Sequence, residues 1–323
     1  MNKQPDLQDI RSAHQRIHPY IHKTPVLTST ALNRMVGARL FFKCENFQKA
    51  GAFKFRGACN AVFSLSGQET SRGVVTHSSG NHAGALALAA RKRGISARIV
   101  MPSNAPVVKI AAVKSYGGII TFCEPTPTSR EKAAEQIIKE TGAILIHPSN
   151  DYRIIAGQAT AALELMEEIE NLDFLLAPVG GGGLLSGTAI AAKALNPKMK
   201  VIGCEPENAD DAYRSIKAGR IIPSGNPNTI ADGLRTSLGD KTFPIIRDLV
   251  DEILLATEEE IITAMRYIFE RMKIVAEPSA AVPLAVLLSH KLNVADKNVG
   301  IIISGGNVDF SQFFEEMLKA NRG

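Results

Sequence analysis

The chemistry-bearing residues of this chain begin with a lysine. Lys54 lies in Gln48-Lys49-Ala50-Gly51-Ala52-Phe53-Lys54-Phe55-Arg56-Gly57, after a strand-like run and at the start of a helical one. Partial desolvation near a helix N-terminus lowers an amine's proton affinity and favours the neutral form that builds an imine. Taken alone, a solvated surface lysine is the better reading, so the assignment depends on partners. The first is Val179-Gly180-Gly181-Gly182-Gly183-Leu184, between a strand-like and a helix-like run. Four glycines let backbone N–H groups wrap a phosphate at a helix start. The segment lacks the ending of a nucleotide P-loop and the spacing of a dinucleotide fingerprint. A flexible loop is the alternative.

Two further segments fit the same picture. His77-Ser78-Ser79-Gly80-Asn81-His82 offers hydroxyls, an amide and helix-start N–H groups for an anion such as a carboxylate, and Asn81 can donate to a phenolate oxygen; a plain N-cap explains it equally well. In Ile303-Ser304-Gly305-Gly306-Asn307-Val308-Asp309 a serine hydroxyl can bond a ring nitrogen, or the segment is a tight turn. Glu205-Pro206-Glu207-Asn208-Ala209-Asp210-Asp211 could set the Glu205 and Asp211 carboxylates and the Ala209 carbonyl around a hard cation. From spacing alone, a solvated acidic loop is preferred.

The elements that must position these groups alternate. Short β-rich runs are expected at Gly73–His77, Ala97–Met101, Ile119–Cys123 and Ala143–His147, separated by helices at His82–Arg93, Val107–Tyr116 and Ser129–Glu140. After Pro148 come a helix at Gly157–Ile169, a strand at Phe174–Val179, a helix at Leu184–Leu195 and strands at Lys200–Cys204 and Glu252–Leu255. A long helix at Glu258–Lys273, N-capped by Thr257, a helix at Ala280–His290 and a strand at Val299–Ile303 follow. A helix near Leu7–Ile17 and a strand at Leu40–Lys43 complete the larger lobe. The expected arrangement is two open, twisted α/β lobes: residues 1–68 and 150–323, with a smaller lobe, 69–149, inserted between them.

Composition removes several classes. With 323 residues, 45% hydrophobic and 21% charged, the chain suits a soluble two-lobed globule. The net charge of +5 is dispersed, with no basic block, so a nucleic-acid partner is not expected. Phe174–Ala192 is uncharged, but Pro178 and the glycine run exclude a continuous membrane helix. The N-terminus lacks signal or transit character, and Cys44, Cys59, Cys123 and Cys204 lack metal or redox spacing. They read as free thiols in a cytoplasmic protein.

The segments GAFKFRGA, SSGNHAGAL, VGGGGLLSG and SGGNVD, in this order and over almost the whole chain, resemble the fold type II (tryptophan synthase β-like) pyridoxal-phosphate (PLP) enzymes of the serine/threonine dehydratase family. CEP leading to Ser129-Arg130-Glu131, EPENADD and Thr229-Ile230-Ala231-Asp232-Gly233 narrow the resemblance to its eukaryotic-type serine racemases, with threo-3-hydroxyaspartate ammonia-lyases similar too. The resemblance implies that PLP sits in the cleft between the lobes. It makes Lys54 the Schiff-base lysine and Ser79 the acid/base on the opposite substrate face. It also implies that Phe53 packs beside the ring, Asn81 bonds its phenolic oxygen, Gly180, Gly181, Gly182, Gly183 and Leu184 hold the phosphate, and Ser304 meets the ring nitrogen. Ser78, Ser79, Asn81, His82 and Arg130 become substrate contacts. Glu205, Ala209 and Asp211 become ligands of Mg²⁺, or of Ca²⁺ or Mn²⁺.

The family activity is racemisation of serine with β-elimination of serine or threonine. Arg130, suited to a second carboxylate, favours 3-hydroxyaspartate as the rival substrate. Plain threonine dehydratase ranks third, and a non-catalytic phosphate-ligand sensor is the non-enzymatic alternative. Departures stand at Ala50, where threonine is common, and Gly84, where a nucleotide-contacting glutamine is expected; Tyr116 and Lys273 fit. These argue against ATP activation. Ala52 and Ser149 are milder departures. A homodimer is implied, as is the absence of a C-terminal regulatory domain.

Overall fold

The computed structural model describes residues 3–105, 107–309, 311 and 313–315. Among the described residues, ten strands form two sheets. Strands β1 (Val26–Leu27), β2 (Arg39–Cys44), β7 (Phe174–Pro178), β8 (Lys200–Pro206), β9 (Glu252–Ala256) and β10 (Asn298–Ile303) make the larger, in the order β1-β2-β10-β7-β8-β9. Only the β1–β2 pair is antiparallel. The smaller sheet is wholly parallel: β3 (Val74–His77), β4 (Ala97–Pro102), β5 (Ile119–Cys123) and β6 (Ile144–Leu145), in the order β5-β4-β3-β6. The α/β class, with helices covering parallel strands, is therefore the one the alternating pattern requires.

Most expected elements recur with ends moved by a few residues, and the differences have physical causes. The strand expected at Ala143–His147 shrinks to β6, because from Ile146 the chain turns out of the sheet to reach the cleft. The single helix expected at Glu258–Lys273 is α-helical only over Glu258–Tyr267. A π turn, Ile268–Met272, follows, and Lys273 stops it at φ 60°. Thr257 caps its start as expected, with Glu260 reciprocating. Unforeseen were β1 and the helices Thr30–Val36, Asp211–Ala218 and Thr242–Leu249.

The cores follow the sheets, with one overlap. Phe55, Ala58 and Val62, from the helix Lys54–Phe63, and Ile154, from the helix Tyr152–Glu168, pack with Val74, Leu86 and Ile99. Segments on both sides of 69–149 thus supply part of the smaller sheet's core, and the lysine-bearing helix lies at the seam. Beside it sits a buried ionic cluster. Arg56 donates to Glu45 from Nε (2.7 Å) and Nη2 (2.8 Å), and to Glu164 from Nη1 and Nη2 (both 2.8 Å). Lys43 Nζ lies 2.7 Å from Glu164 and donates to the Thr24 carbonyl. Glu164 is held well below the usual carboxylate range by these cations and His14, against the cost of burial.

Candidate active site

The lysine segment and the last-strand loop are stitched together. Ala52 bridges Gly305, the Phe53 N–H donates to the Ser304 carbonyl (2.9 Å), and the Gly306 N–H donates to that of Gly51 (2.9 Å). Gly51 has φ +70°, and a Cβ there would lie 2.2 Å from Asn307 Oδ1. This pairing brings Lys54, Phe53 and Ser304, far apart in sequence, to one place. The Lys54 ammonium sits 5.1 Å from the Phe53 ring centroid and donates to the Pro148 carbonyl at 2.8 Å. Burial lowers its pKa to about 8, opposed by the Glu277 carboxylate.

The glycine run connects β7 to the helix Gly183–Leu195, as its sequence position required. Gly182 takes φ +80°, and no side chain caps this helix, which leaves its first-turn N–H groups without a side-chain partner. A Cβ on Gly181 would lie 2.3 Å from Ser149 Oγ, so only glycine lets the loop approach residue 149. Gly180 abuts Leu234 and Thr236, and Gly183 abuts Ser149. Backbone donors at an open helix start are the donor set a phosphate needs, so Gly180 to Leu184 fit that group.

The third segment forms the bend after β3. The Ser78 hydroxyl accepts from the Gly80 N–H (3.3 Å), Ser79 lies half-buried in the bend, and the helix Asn81–Arg93 starts from Gly80 with no side-chain cap. Asn81 is held on both sides: its Nδ2 donates to both Glu277 oxygens (3.0 and 2.9 Å), and its Oδ1 accepts from Asn307 Nδ2 (3.0 Å). Burial pushes Glu277 up to about 7 while the Asn81 bonds resist. The His82 ring is buried, with Nε2 3.2 Å from the Ile146 carbonyl, so it faces the core; its backbone N–H remains in the helix start. Arg130, in the first turns of the helix Pro127–Thr141, has a buried Nε with no hydrogen-bond partner. Its charge bears on His77, whose pKa is lowered chiefly by burial.

Asn81 also lines a cavity of about 420 Å³ with Lys109, Ala112 and Tyr116, and with Asp232, Arg235 and Asn307. Lys109 and Asp232 form an ion pair across it. Ala50 and Gly84, the two departures noted above, line the same cavity.

The acidic pair lies apart, at the end of β8. Glu205 is buried and accepts from the N–H groups of Ala212 and Tyr213, each at 3.0 Å. Asp211 is buried with neither oxygen hydrogen-bonded. Burial pushes Glu205 up to about 9 and Asp211 to about 6. Two buried carboxylates in no direct ion pair, the nearby Arg214 being bonded to Asp210, stand next to the Ala209 turn and fit a hard cation. Among the described residues no group of three or more His, Cys, Asp or Glu side chains could hold a metal, so a carbonyl would have to complete the set.

Sequence reasoning missed Glu277, Pro148 and His147. Glu277 stands before Pro278 at the start of an apolar helix, which was a signal for a buried acid. The carbonyl of Pro148 carried none. All four cysteines are free, three of them buried. No described helix is long and apolar enough to cross a membrane.

Comparison with known proteins bears directly on this arrangement. The chain is 53% identical over 315 residues to a serine racemase of Arabidopsis thaliana, covering 96% of this chain and 95% of that protein. It is 51% identical over 308 residues to a beta-hydroxyaspartate dehydratase of Paracoccus denitrificans, covering 95% and 98%. The crystal structure of serine racemase from Dictyostelium discoideum superposes with a TM-score of 0.91 at 53% identity, covering 94% of this chain and 99% of that one. Residues 17–305 match the family model described as pyridoxal-phosphate dependent enzyme, and the chain belongs to that family of fold type II enzymes acting on amino acids.

Proposed function

We propose that this protein interconverts L- and D-serine and also eliminates the β-hydroxyl of serine or threonine to give a 2-oxo acid and ammonia. The observation that carries the reading is the Lys54 amine, lowered to about 8 and stitched beside Ser304, in a chain about half identical to serine racemases. PLP, when bound, supplies an electron sink that acidifies the substrate α-proton. Gly180 to Leu184 would hold its phosphate, Phe53 and Asn81 its ring, and Ser304 its ring nitrogen. Ser304 is a neutral partner, which disfavours transamination.

The chain's own groups do the rest. Lys54, released as a free amine, is near enough to neutrality to take the α-proton, and the Pro148 carbonyl steadies the resulting ammonium. The open N-terminus of the helix Asn81–Arg93, with Ser78, Asn81 and the His82 N–H, binds the substrate carboxylate. Ser79 returns a proton from the other face, giving the enantiomer; loss of the hydroxyl first gives elimination. Glu205, Asp211 and the Ala209 carbonyl would hold Mg²⁺. The lobe 69–149 moves to close the cleft, with Lys109–Asp232 as its contact. A homodimer follows from the family resemblance, and four free thiols support a cytoplasmic setting.

Purified enzyme incubated with L-serine in D₂O should yield deuterated serine of both hands plus pyruvate. Lys54→Ala should abolish both products and the absorbance of the lysine-bound cofactor. No deuterium at the α-carbon would sink the racemase reading. A second reading, 3-hydroxyaspartate ammonia-lyase, is favoured by the unpartnered buried Nε of Arg130 and by the Paracoccus relative. Comparing keto-acid release from serine and both hydroxyaspartate diastereomers ranks the two.

A further inference from the structure

Between β6, which ends at Leu145, and the helix starting at Tyr152, the chain crosses from the smaller sheet to the larger and passes the Lys54 amine. One side chain organises that crossing. We propose that His147 is a positioning residue: its ring nitrogen Nδ1 builds the turn that carries the Pro148 carbonyl to Lys54 and Ser149 beneath the glycine loop. The proposal rests on the reading of Lys54 as the cofactor-bearing lysine.

The N–H groups of Ser149 (3.1 Å) and Asn150 (2.8 Å) both donate to His147 Nδ1. A ring nitrogen can accept them only with its lone pair free, so the ring must be neutral with its proton on Nε2. The surroundings enforce that state. The His77 ring stands edge-on at 5.5 Å, the buried His82 ring also bears on His147, and the charged groups that do so are Lys54, Lys241 and Asp151. His77 in turn faces Arg130 and Glu131. Burial and the cationic neighbours lower His147 to about 4, with Asp151 opposing.

Three contacts depend on this turn. The Pro148 carbonyl accepts from Lys54 Nζ at 2.8 Å. Ser149 Oγ would lie 2.3 Å from a Cβ on Gly181, where none fits, and the Ser149 backbone 3.1 Å from one on Gly183, a tight contact. Asn150 accepts from the Lys241 N–H (2.9 Å) and donates to Asp240 (2.6 Å), tying the crossing to the loop before the helix Thr242–Leu249. An ammonium that loses its carbonyl acceptor in a buried site loses proton affinity. Removing Nδ1 therefore alters the titration of Lys54, an effect that loss of packing elsewhere would not produce.

The test uses cofactor-stripped protein recombined with PLP, following absorbance of the Schiff base with Lys54 against pH. His147→Leu should shift the midpoint of its formation rate downward by about one unit. His147→Asn, whose Oδ1 can stand where Nδ1 stood, should restore it to near the unsubstituted value. A Leu variant that folds and titrates like the unsubstituted protein overturns the proposal, as does an Asn variant that folds but behaves like Leu. If the Leu variant does not fold, ring ¹⁵N shifts of His147 in the unsubstituted protein decide the matter: Nδ1 unprotonated between pH 6 and pH 8 supports the proposal, and a proton on Nδ1 overturns it. An unsubstituted protein with no Lys54-dependent absorbance overturns the cofactor reading, and this proposal with it.

Discussion

Glu45 and Glu164 lie as deep in the protein as Glu205 and Asp211, yet the two pairs are balanced differently. Around the first pair stand Arg56, Lys43 and His14, with Thr24 adding a hydroxyl, so two carboxylates meet two fixed cations inside the fold. Around the second pair stand two backbone N–H groups directed at Glu205, and the nearest cation, Arg214, is already paired with Asp210; the Asp211 oxygens accept no hydrogen bond. The chemistry of the side chains is the same. The difference is that the first region balances its own charge and the second does not, which is why we assign a cation to the second and none to the first.

Removing one partner from the complete cluster gives the largest expected effect. Arg56→Met leaves Glu45 without its guanidinium and Glu164 with only Lys43 and His14, and should cost about 3–5 kcal/mol in denaturant unfolding. Because Arg56 lies two residues after Lys54, cofactor retention should fall as well. A loss well under ~1 kcal/mol would show that Lys43 and His14 suffice, and the distinction between the regions would narrow.

Cation addition sharpens the comparison from the other side. Glu205 and Asp211 titrate near 9 and 6 when folded, above their ordinary values of 4.5 and 3.8. Groups with raised folded values favour the fold while protonated and oppose it once ionised. Their contribution to the metal-free protein is therefore best near pH 4 and declines as pH rises through 6 and 9. Mg²⁺ at about a hundredfold over its Kd should add ~2.7 kcal/mol at pH 8, and less at pH 5 where protons compete. Glu205→Gln should lose that response. Equal stabilisation of Glu205→Gln by Mg²⁺ would place the cation elsewhere.

The same contrast explains what could be read from the sequence. Glycine-rich turns between strand and helix announced the cleft segments, because backbone approach to a ligand requires residues without a Cβ. The helix Leu7–Ile17 carried a clear amphipathic pattern, and its predicted and observed bounds agree. The helix Asp211–Ala218 is as amphipathic but only eight residues long and has no local side-chain cap; Glu205 from the preceding strand caps its first N–H groups, a tertiary contact invisible to local pattern. Lys43 and Glu164 were signals not used: each is a charge inside a buried apolar run, which demands a partner. His147 and the Pro148 carbonyl act through backbone geometry, and residue type alone does not encode where a turn points.

Arg130 joins the comparison through one unpartnered donor. Its buried Nε has no acceptor, as the Asp211 oxygens have no donor, and a substrate bearing a second carboxylate would supply one. Lysine keeps the charge but cannot form the paired, planar contact. Arg130→Lys should therefore lower kcat/KM for 3-hydroxyaspartate about tenfold, or ~1.4 kcal/mol, while serine turnover changes by less than about threefold. An equal fall for both substrates would mean that Arg130 shapes the lobe rather than reading the side chain. Unchanged values for both would mean that its guanidinium points away from the substrate, and the hydroxyaspartate reading would lose its structural support.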